Sequence, residues 1–527
     1  MPSPSRRALL KQIGAFSAMG AAAPLGISLS AITQAAAQSA SGDYRALVCV
    51  FLYGGNDAYN TVLATDATSW GHYLNHRNPR TRVPTDTGAS IALMAAGTAA
   101  DPSASANTPE RLGGVLPISH VSRLAHAGRS FAFHPALGDL RNLQQGGRLA
   151  VLANVGPLVK PTLKTDLQTA GFPQPAKLYS HNDQQSTWMS LGVEGTETGW
   201  AGLMGDVLKS RNGVSAGANM ALIQRAFTGM SPTGAAVWMN GRTVLPFQTG
   251  ATSLSGLGSN GRIYGSAALQ SAVVNIMSSA ASTSHLTLDH QALVQRATQA
   301  NALIGSQLPQ PGVAPWGTAG EHNPYNDALL KYTSTQDGSQ KTNPLALQLQ
   351  MVARLIATNG AANLGIQRQF FLVGLGGFDN HDNLIANHGE GMAQLNHGLA
   401  YFDRVMQASG LGSQVTAFTA SDFGRTFTNN GDGTDHGWGA HHLIMGGAVK
   451  GADVYGVFPT YSTANSQGVF SSPHQLQNGV MLPGTSVEQY AYTLGKWMGV
   501  SASDLLGILP NLQNFDVDTH DLGFMNA

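Results

Sequence analysis

Short runs of apolar residues recur along the chain, and most of them are continuous rather than alternating with polar residues. The runs occupy residues 46–52, 148–152, 370–374, 415–419 and 443–445. Continuous apolar runs of this length are typical of strands that are covered on both faces, as in a parallel sheet flanked by helices. Each run is therefore predicted to form a buried strand.

Helical patterns lie between these runs. Asn343 can cap a helix, and Pro344 follows at the first helical position, where proline is favoured. Residues 392–406 present apolar side chains on one helical face, and Gly410 is expected to end that helix. Residues 489–498 predict another amphipathic helix. The alternation of strands and helices predicts an α/β fold with a doubly wound, mostly parallel sheet and helices on both faces.

Residues 1–40 are organised like an export signal. Arg6 and Arg7 are adjacent, an apolar Ala/Gly-rich stretch follows, and the three alanines at 35–37 suit a signal peptidase. We expect a twin-arginine signal peptide, transport by the twin-arginine translocase, and a periplasmic or secreted mature protein. No later segment has about 18 consecutive apolar residues, so no stable membrane span is expected after cleavage.

The remaining residues, 41–527, are predicted to form the α/β domain. Within it, residues 210–340 are rich in Gly, Ser, Ala and Asn, and they are interpreted as an insertion or cap. Helical stretches are predicted there at residues 266–279 and 286–304.

Composition excludes several classes of function. The 527 residues include 29 Lys plus Arg and 29 Asp plus Glu, so the chain is not a generally basic nucleic-acid binder. Cys49 is the only cysteine, which excludes an intramolecular disulfide framework and a cysteine-based zinc cluster. The sequence has no dinucleotide fingerprint and no Gly-Lys phosphate loop, so nicotinamide and nucleoside triphosphate chemistry have no support.

Acidic residues and histidines follow several of the predicted strands, and two of the histidines lie in a segment that enters the strand at 443–445. They are Asp57, Asp379, His381, Asp422, His436 and His441. Because the carboxyl ends of parallel strands share one edge of a sheet, we expect these side chains to converge there. Carboxylates so close repel one another, and a positive group must compensate. A divalent metal such as zinc or manganese is the natural candidate, since it binds Asp oxygens and His nitrogens.

Each of these motifs also has a plainer interpretation as a turn or a helix cap. Arg425 could form a local ion pair with Asp422, or it could clamp an oxyanion such as phosphate or sulfate. Ser180 is the candidate nucleophile, and Thr61 is a rival. No Gly-x-Ser-x-Gly elbow with clear triad partners is present, which argues against an α/β-hydrolase.

The sequence resembles a bacterial secreted family known only as domain of unknown function 1501. The matching motifs are the twin-arginine start and residues 52–61, 180–181, 376–381, 421–426 and 435–442. That family is similar to the alkaline phosphatase and sulfatase superfamily, whose members are metal-dependent hydrolases or mutases acting on phosphate or sulfate esters. The resemblance implies an alkaline-phosphatase-like fold.

The resemblance also implies roles for individual residues. Asp57 matches the acidic ligand after the first strand of the superfamily, and Asp422 matches the aspartate of its Asp-His-Gly turn. Phe423 stands where that turn has a ligand histidine.

Three further positions resemble functional residues of the superfamily. Asp379 resembles the aspartate of an Asp-x-x-x-His pair, although His381 follows it after one residue instead of three. His436 resembles the final histidine ligand, with His441 as the rival. Ser180 corresponds to the nucleophile.

Two functions follow as expectations. The first is an exported metal-dependent hydrolase of small-molecule or polymeric phosphate or sulfate esters, in which Arg425 assists. The second is a catalytically degenerate relative that keeps the fold and binds cell-envelope polymer or a protein partner, as the phenylalanine at position 423 would favour. Export alone suggests an oxidoreductase, and no cofactor motif supports one.

Overall fold

The computed structural model describes residues 44–121, 124–213, 217–254, 262–279, 284–361 and 363–526. The predicted signal peptide, residues 1–40, lies outside the described residues. None of the described helices combines the length and the apolar character that crossing a membrane requires.

The strands of the described residues are named in chain order. They are β1 (Arg45–Leu52), β2 (Val62–Ala64), β3 (Leu116–Pro117), β4 (Phe131–Phe133), β5 (Leu149–Gly156), β6 (Gly229–Ser231), β7 (Phe247–Gln248), β8 (Lys331–Thr333), β9 (Gln340–Thr342), β10 (Arg368–Leu375), β11 (Val415–Ser421), β12 (Ala440–Met445), β13 (Val454–Tyr455) and β14 (Thr485–Ser486).

The α-helices of the described residues are named in the same way. They are α1 (Ala58–Thr61), α2 (Ala67–Arg77), α3 (Pro79–Arg82), α4 (Pro109–Leu112), α5 (Gly138–Gln145), α6 (His181–Ser190), α7 (Trp200–Leu208), α8 (Met220–Ala226), α9 (Ala267–Ser279), α10 (His285–Gly305), α11 (Pro344–Ala361), α12 (Leu384–Ala408), α13 (Val487–Met498) and α14 (Ala502–Ile508).

A nine-stranded sheet forms the centre of the molecule. Its strand order is β13-β5-β12-β11-β1-β10-β6-β7, and β14 pairs with β5. Strand β12 runs antiparallel to both of its neighbours, whereas the other pairings in this sheet are parallel. The mixed α/β fold with a largely parallel sheet is therefore confirmed.

The two faces of the sheet pack into two separate cores. Along β1, Val48 and Val50 enter one core and Cys49 and Phe51 enter the other, because successive side chains of a strand point to opposite faces. Residues of α11 and α12 cover the first face, and residues of α7 and α13 cover the second. Burial on both faces explains why these strands are continuous apolar runs in the sequence.

The predicted elements are present, and one of them has an unexpected direction. All five apolar runs are strands, and the helices predicted from Pro344 onward, through residues 392–406 and near 489–498 are α11, α12 and α13. Strand β12, predicted from residues 443–445, is antiparallel because the chain enters it from a loop at the carboxyl end of β11. Antiparallel neighbours need no crossover helix.

The stretch at residues 210–340 is only partly separate from the main sheet. Strands β6 and β7 lie within it and extend the central sheet beyond β10. Helices α9 and α10, predicted from the sequence at 266–279 and 286–304, follow these strands.

Candidate functional site

The register of the central strands brings three loops to the same level. Leu52 at the end of β1 pairs with Leu375 at the end of β10 and with Ser421 at the end of β11. The residues that follow these three strands therefore leave the sheet side by side at its carboxyl edge.

The loop after β1 lies against the loop after β10. Gly54 has a φ of +115°, and a Cβ placed there would lie 2.4 Å from the backbone nitrogen of Asp379. The Gly54 nitrogen also donates to Oδ2 of Asp422 at 3.3 Å. A side chain at Gly54 would push these loops apart.

Three possible metal ligands converge at this edge. One ligand atom each from His181, Asp379 and His436 lies within 4.8 Å of the other two. Nε2 of His181 is 3.4 Å from Oδ2 of Asp379, and Nε2 of His436 is 3.3 Å from Oδ1 of the same carboxylate. The loop after β10, the loop after β11 and the start of α6 each supply one of the three.

Hydrogen bonds on the far sides of the two imidazoles fix which nitrogens carry hydrogen. Nδ1 of His181 lies 2.7 Å from Oδ2 of Asp422, and Nδ1 of His436 lies 2.8 Å from the carbonyl oxygen of Tyr179. A carboxylate and a carbonyl only accept, so each Nδ1 is the donor. In the neutral form of either ring, the lone pair is then on the Nε2 that faces Asp379, an arrangement that is typical of metal-binding histidines.

The charge states of the cluster suit a cation. Partial burial acts to raise the pKa of Asp379, but Arg425, His381 and His181 act against it, and the net pKa is lowered. The pKa of His436 is lowered, chiefly because the ring is partly buried. At neutral pH the site therefore holds a carboxylate and a neutral imidazole, the forms that bind metal.

His381 lies at the edge of this cluster. Its Nε2 is 3.1 Å from Oδ1 of Asp379 and 3.0 Å from Nε2 of His436. Because Nε2 of His436 is an acceptor, His381 is the donor in that contact. On its other side, Nδ1 of His381 is 3.4 Å from Oδ1 of Asp435.

Arg425 pairs with the carboxylate of the cluster. Its Nη2 donates to Oδ1 of Asp379 at 2.8 Å, and its side chain is fully buried. Its Nε and Nη1 have no hydrogen-bond partner among the described residues. The sequence left open a local ion pair of Arg425 with Asp422, and the structure pairs Arg425 with Asp379.

Asp422 supports the cluster without belonging to it. Its Oδ2 accepts hydrogen bonds from His181 and, at 3.0 Å, from Nε2 of Gln185. The residue is completely buried, and its Oδ1 has no partner among the described residues. In this arrangement Asp422 orients His181 instead of facing the convergence point.

Phe423 forms a wall of the site. Its ring centroid lies 4.8 Å from that of His181 and 4.6 Å from that of His436, and the side chain is buried. The position at which the family resemblance implies a ligand histidine therefore contributes packing against two imidazoles and no ligand atom.

Asp57 is not brought into the cluster. It accepts hydrogen bonds on both carboxylate oxygens from the guanidinium of Arg77, and its Oδ1 also accepts from the backbone nitrogen of Tyr59. Both charged side chains are buried. Together with the Arg425–Asp379 pair, this contact gives two of the predicted carboxylate ligands an arginine partner each.

Ser180 and His441 are hydrogen-bonded to residues outside the cluster. Ser180 immediately precedes α6, and its hydroxyl donates to Oδ2 of Asp183 at 2.7 Å. His441 is buried in β12, where its Nδ1 accepts from the backbone nitrogen of Asn154 at 3.0 Å and its ring packs on Phe458. Of the two rival histidines, His436 is the one placed beside Asp379.

The buried histidines of β12 predict acid sensitivity. Burial lowers the pKa of His442 to about 3, whereas an unfolded histidine titrates near 6.5. A depressed pKa stabilises the fold above pH 6.5, and this stability is lost as the pH falls towards 3. From pH 7 to pH 5 the loss attributable to His442 is about 2 kcal/mol. Urea unfolding at both pH values should show a smaller loss for His442→Leu than for the wild type, and equal losses would contradict this assignment.

Two contributors were missed by reasoning from the sequence. His181 was noted only as part of a motif beside Ser180, although a polar His-bearing segment at a helix start was a usable signal. Arg77 carries no local signal, because only the fold brings the end of α2 next to Asp57.

The fold and the cluster define an α/β protein with a candidate metal centre at the carboxyl edge of its sheet. The chain belongs to the family described as "Protein of unknown function (DUF1501)", whose model matches residues 44–509, so this resemblance is confirmed. One similar solved structure is described as "Crystal structure of Ps i-CgsB in complex with k-i-k-neocarrahexaose". It shares 10% sequence identity over 72% of this chain and 71% of that chain, with a TM-score of 0.29. No curated protein matches the chain.

Proposed function

We propose that the chain is an exported metal-dependent hydrolase of phosphate or sulfate esters. Its metal ligands are His181, Asp379 and His436, and the observation that carries the proposal is the convergence of their ligand atoms within 4.8 Å. The similarity of the sequence motifs to the alkaline phosphatase and sulfatase superfamily supports the same class of reaction, and the twin-arginine motif supports export.

The donor set fits a divalent cation such as zinc or manganese. Two imidazole nitrogens and one carboxylate are a ligand set of catalytic zinc sites, which keep a further position open for substrate. His181 is 30% exposed and Asp379 is 46% exposed, so an ester can reach the cluster from solvent. A cation held there would supply Lewis-acid polarisation of the ester.

Arg425 is assigned as a positioning residue for the ligand carboxylate. Its side chain is fully buried, and its Nη2 donates to Oδ1 of Asp379 at 2.8 Å. This charge-assisted hydrogen bond holds Asp379 at the convergence point and keeps it ionised. Asp422 acts as a positioning residue, because its contact with Nδ1 of His181 directs Nε2 of that ring towards Asp379.

Metal content and turnover test the proposal together. Protein purified from its native host is expected to contain about one divalent cation per chain and to hydrolyse p-nitrophenyl phosphate or p-nitrophenyl sulfate. A chelator should remove both the metal and the activity, and zinc or manganese should restore them. A folded protein that binds neither ion and hydrolyses neither ester would overturn the proposal.

The second candidate is a catalytically degenerate binding protein. Arg77 and Arg425 already neutralise Asp57 and Asp379, and His381 can donate a hydrogen bond to the acceptor atoms at the convergence point. Phe423 adds no ligand atom. These contacts would allow the cluster to be stable without a metal, and a metal-free, inactive protein with an intact fold is the result that this candidate predicts.

A further inference from the structure

A cavity of about 400 Å³ adjoins the candidate metal centre. Its lining includes Asp379 of the cluster together with Tyr53, Gly376, Asn387, Glu390 and Gln394. The volume is in the range of small-molecule sites. No basic side chain belongs to this lining, and Asp379 and Glu390 are its charged members. The cavity, as lined by the described residues, therefore offers no positive side chain to an anionic ligand.

Side-chain amides dominate the polar part of the lining. Asn387 and Gln394 are seven residues apart in α12 and share one face of that helix. Each amide carries donors and an acceptor, and Nε2 of Gln394 already donates to the hydroxyl of Tyr332 at 2.8 Å. Asn380, which also lines the cavity, is only 5% exposed, and its Nδ2 donates to the carbonyl oxygen of Gly377 at 3.0 Å. This contact holds the Asn380 amide in the cavity wall.

Tyr53 contributes an apolar surface beside these amides. Its ring packs on Phe51 with 4.6 Å between the ring centroids. A Cβ placed on Gly374 would lie 2.6 Å from Cε2 of Tyr53, so the ring also rests directly on the backbone of β10. The ring is thus supported from behind while it lines the cavity.

From these contacts we infer that the cavity binds a saccharide, and that the ester hydrolysed at the neighbouring cluster is a phosphate or sulfate ester of a sugar. The inference rests on the proposed function. A sugar presents many hydroxyl groups that both donate and accept, as the amides do, and its C–H face packs on an aromatic ring. Among the described residues, no basic side chain lines the cavity to receive an anionic group. The anionic ester group is therefore directed to the proposed metal centre and the neutral sugar to the cavity.

Gly376 allows the cavity to be filled without disturbing the fold. It is exposed, its φ is not positive, and a Cβ placed on it would meet no atom within 4 Å. Gly376→Leu therefore adds bulk to the lining. Gly507→Leu is the matched control, because Gly507 in α14 is also exposed, also has open space at its Cβ and does not line the cavity.

Binding of neutral sugars tests the inference separately from catalysis. Full-length protein treated with chelator is titrated with a panel of neutral mono- and disaccharides, and saturation-transfer NMR is the readout. The wild type and Gly507→Leu are expected to bind a member of the panel, and Gly376→Leu should bind it at least tenfold more weakly. Absence of binding by the wild type, or equal binding by all three proteins, would overturn the saccharide site.

The same proteins assayed with p-nitrophenyl esters separate the two proposals. Sugar binding without chelator-sensitive ester turnover overturns the hydrolase and leaves the saccharide site standing. Ester turnover without sugar binding overturns the saccharide site and leaves the hydrolase standing.

Discussion

Asp379→Asn should leave the protein folded and reduce both its metal affinity and its ester turnover by at least about 100-fold. Mutation of a residue that only orients a metal ligand already lowers metal affinity or activity by about 10–100-fold. Asp379 is itself a proposed ligand, so a larger loss is expected. The substitution keeps the size of the side chain and removes its charge. It also weakens the charge-assisted contact with Arg425, whose Nη2 lies 2.8 Å from the carboxylate.

Asp382→Asn is the matched control for this experiment. Asp382 is exposed, lies three residues further along the same loop and is not part of the cluster. Its variant should retain the metal content, turnover and melting temperature of the wild type. The comparison uses metal analysis after dialysis, steady-state hydrolysis of p-nitrophenyl esters and thermal unfolding. Normal metal binding by Asp379→Asn would contradict the assignment of Asp379 as a ligand.

Much of the fold could be predicted from the sequence, because strands that are buried on both faces are continuous apolar runs. Strands β1, β10 and β11 are continuous apolar runs, and their carboxyl ends do share one edge. Pro344 and Gly410 gave further local signals for a helix start and a helix end. The direction of β12 could not be read in this way, because an apolar run does not record which way its strand runs.

Only part of the candidate site could be predicted from the sequence. Asp379 and His436 were both predicted at the edge. The sheet register fixes the position of Asp379, which comes soon after β10, whereas His436 lies within the loop between β11 and β12. Pairing between side chains follows from the whole fold, so Arg77 as the partner of Asp57 could not be inferred. Positive charge beside these carboxylates was predicted, and Asp57 and Asp379 do each have an arginine partner. The metal stays a prediction, which the sequence alone does not distinguish from a buried guanidinium.

Arg77→Met is the strongest test of that distinction, and it should destabilise the protein by about 3–5 kcal/mol. Removing one partner of a buried ion pair leaves the other charge buried and uncompensated. Arg77 also donates to the carbonyl oxygens of Phe427 and Thr426 at 3.2 and 2.8 Å, and to Oδ1 of Asn60 at 2.9 Å, so these acceptors lose a donor as well. Arg82→Met, on the exposed face of α3, should change the stability by no more than about 0.5 kcal/mol.

A second substitution tests whether the unpaired carboxylate of Asp57 causes the loss of stability. Combining Arg77→Met with Asp57→Asn removes the unpaired carboxylate and should recover part of the stability, so urea unfolding should report less than additive losses. Asp57→Asn alone should leave the metal content unchanged, because Arg77 occupies both oxygens of Asp57. If Asp57→Asn loses metal while Arg77→Met is as stable as the wild type, then Asp57 acts as the metal ligand that the sequence first indicated and Arg77 is not its structural partner.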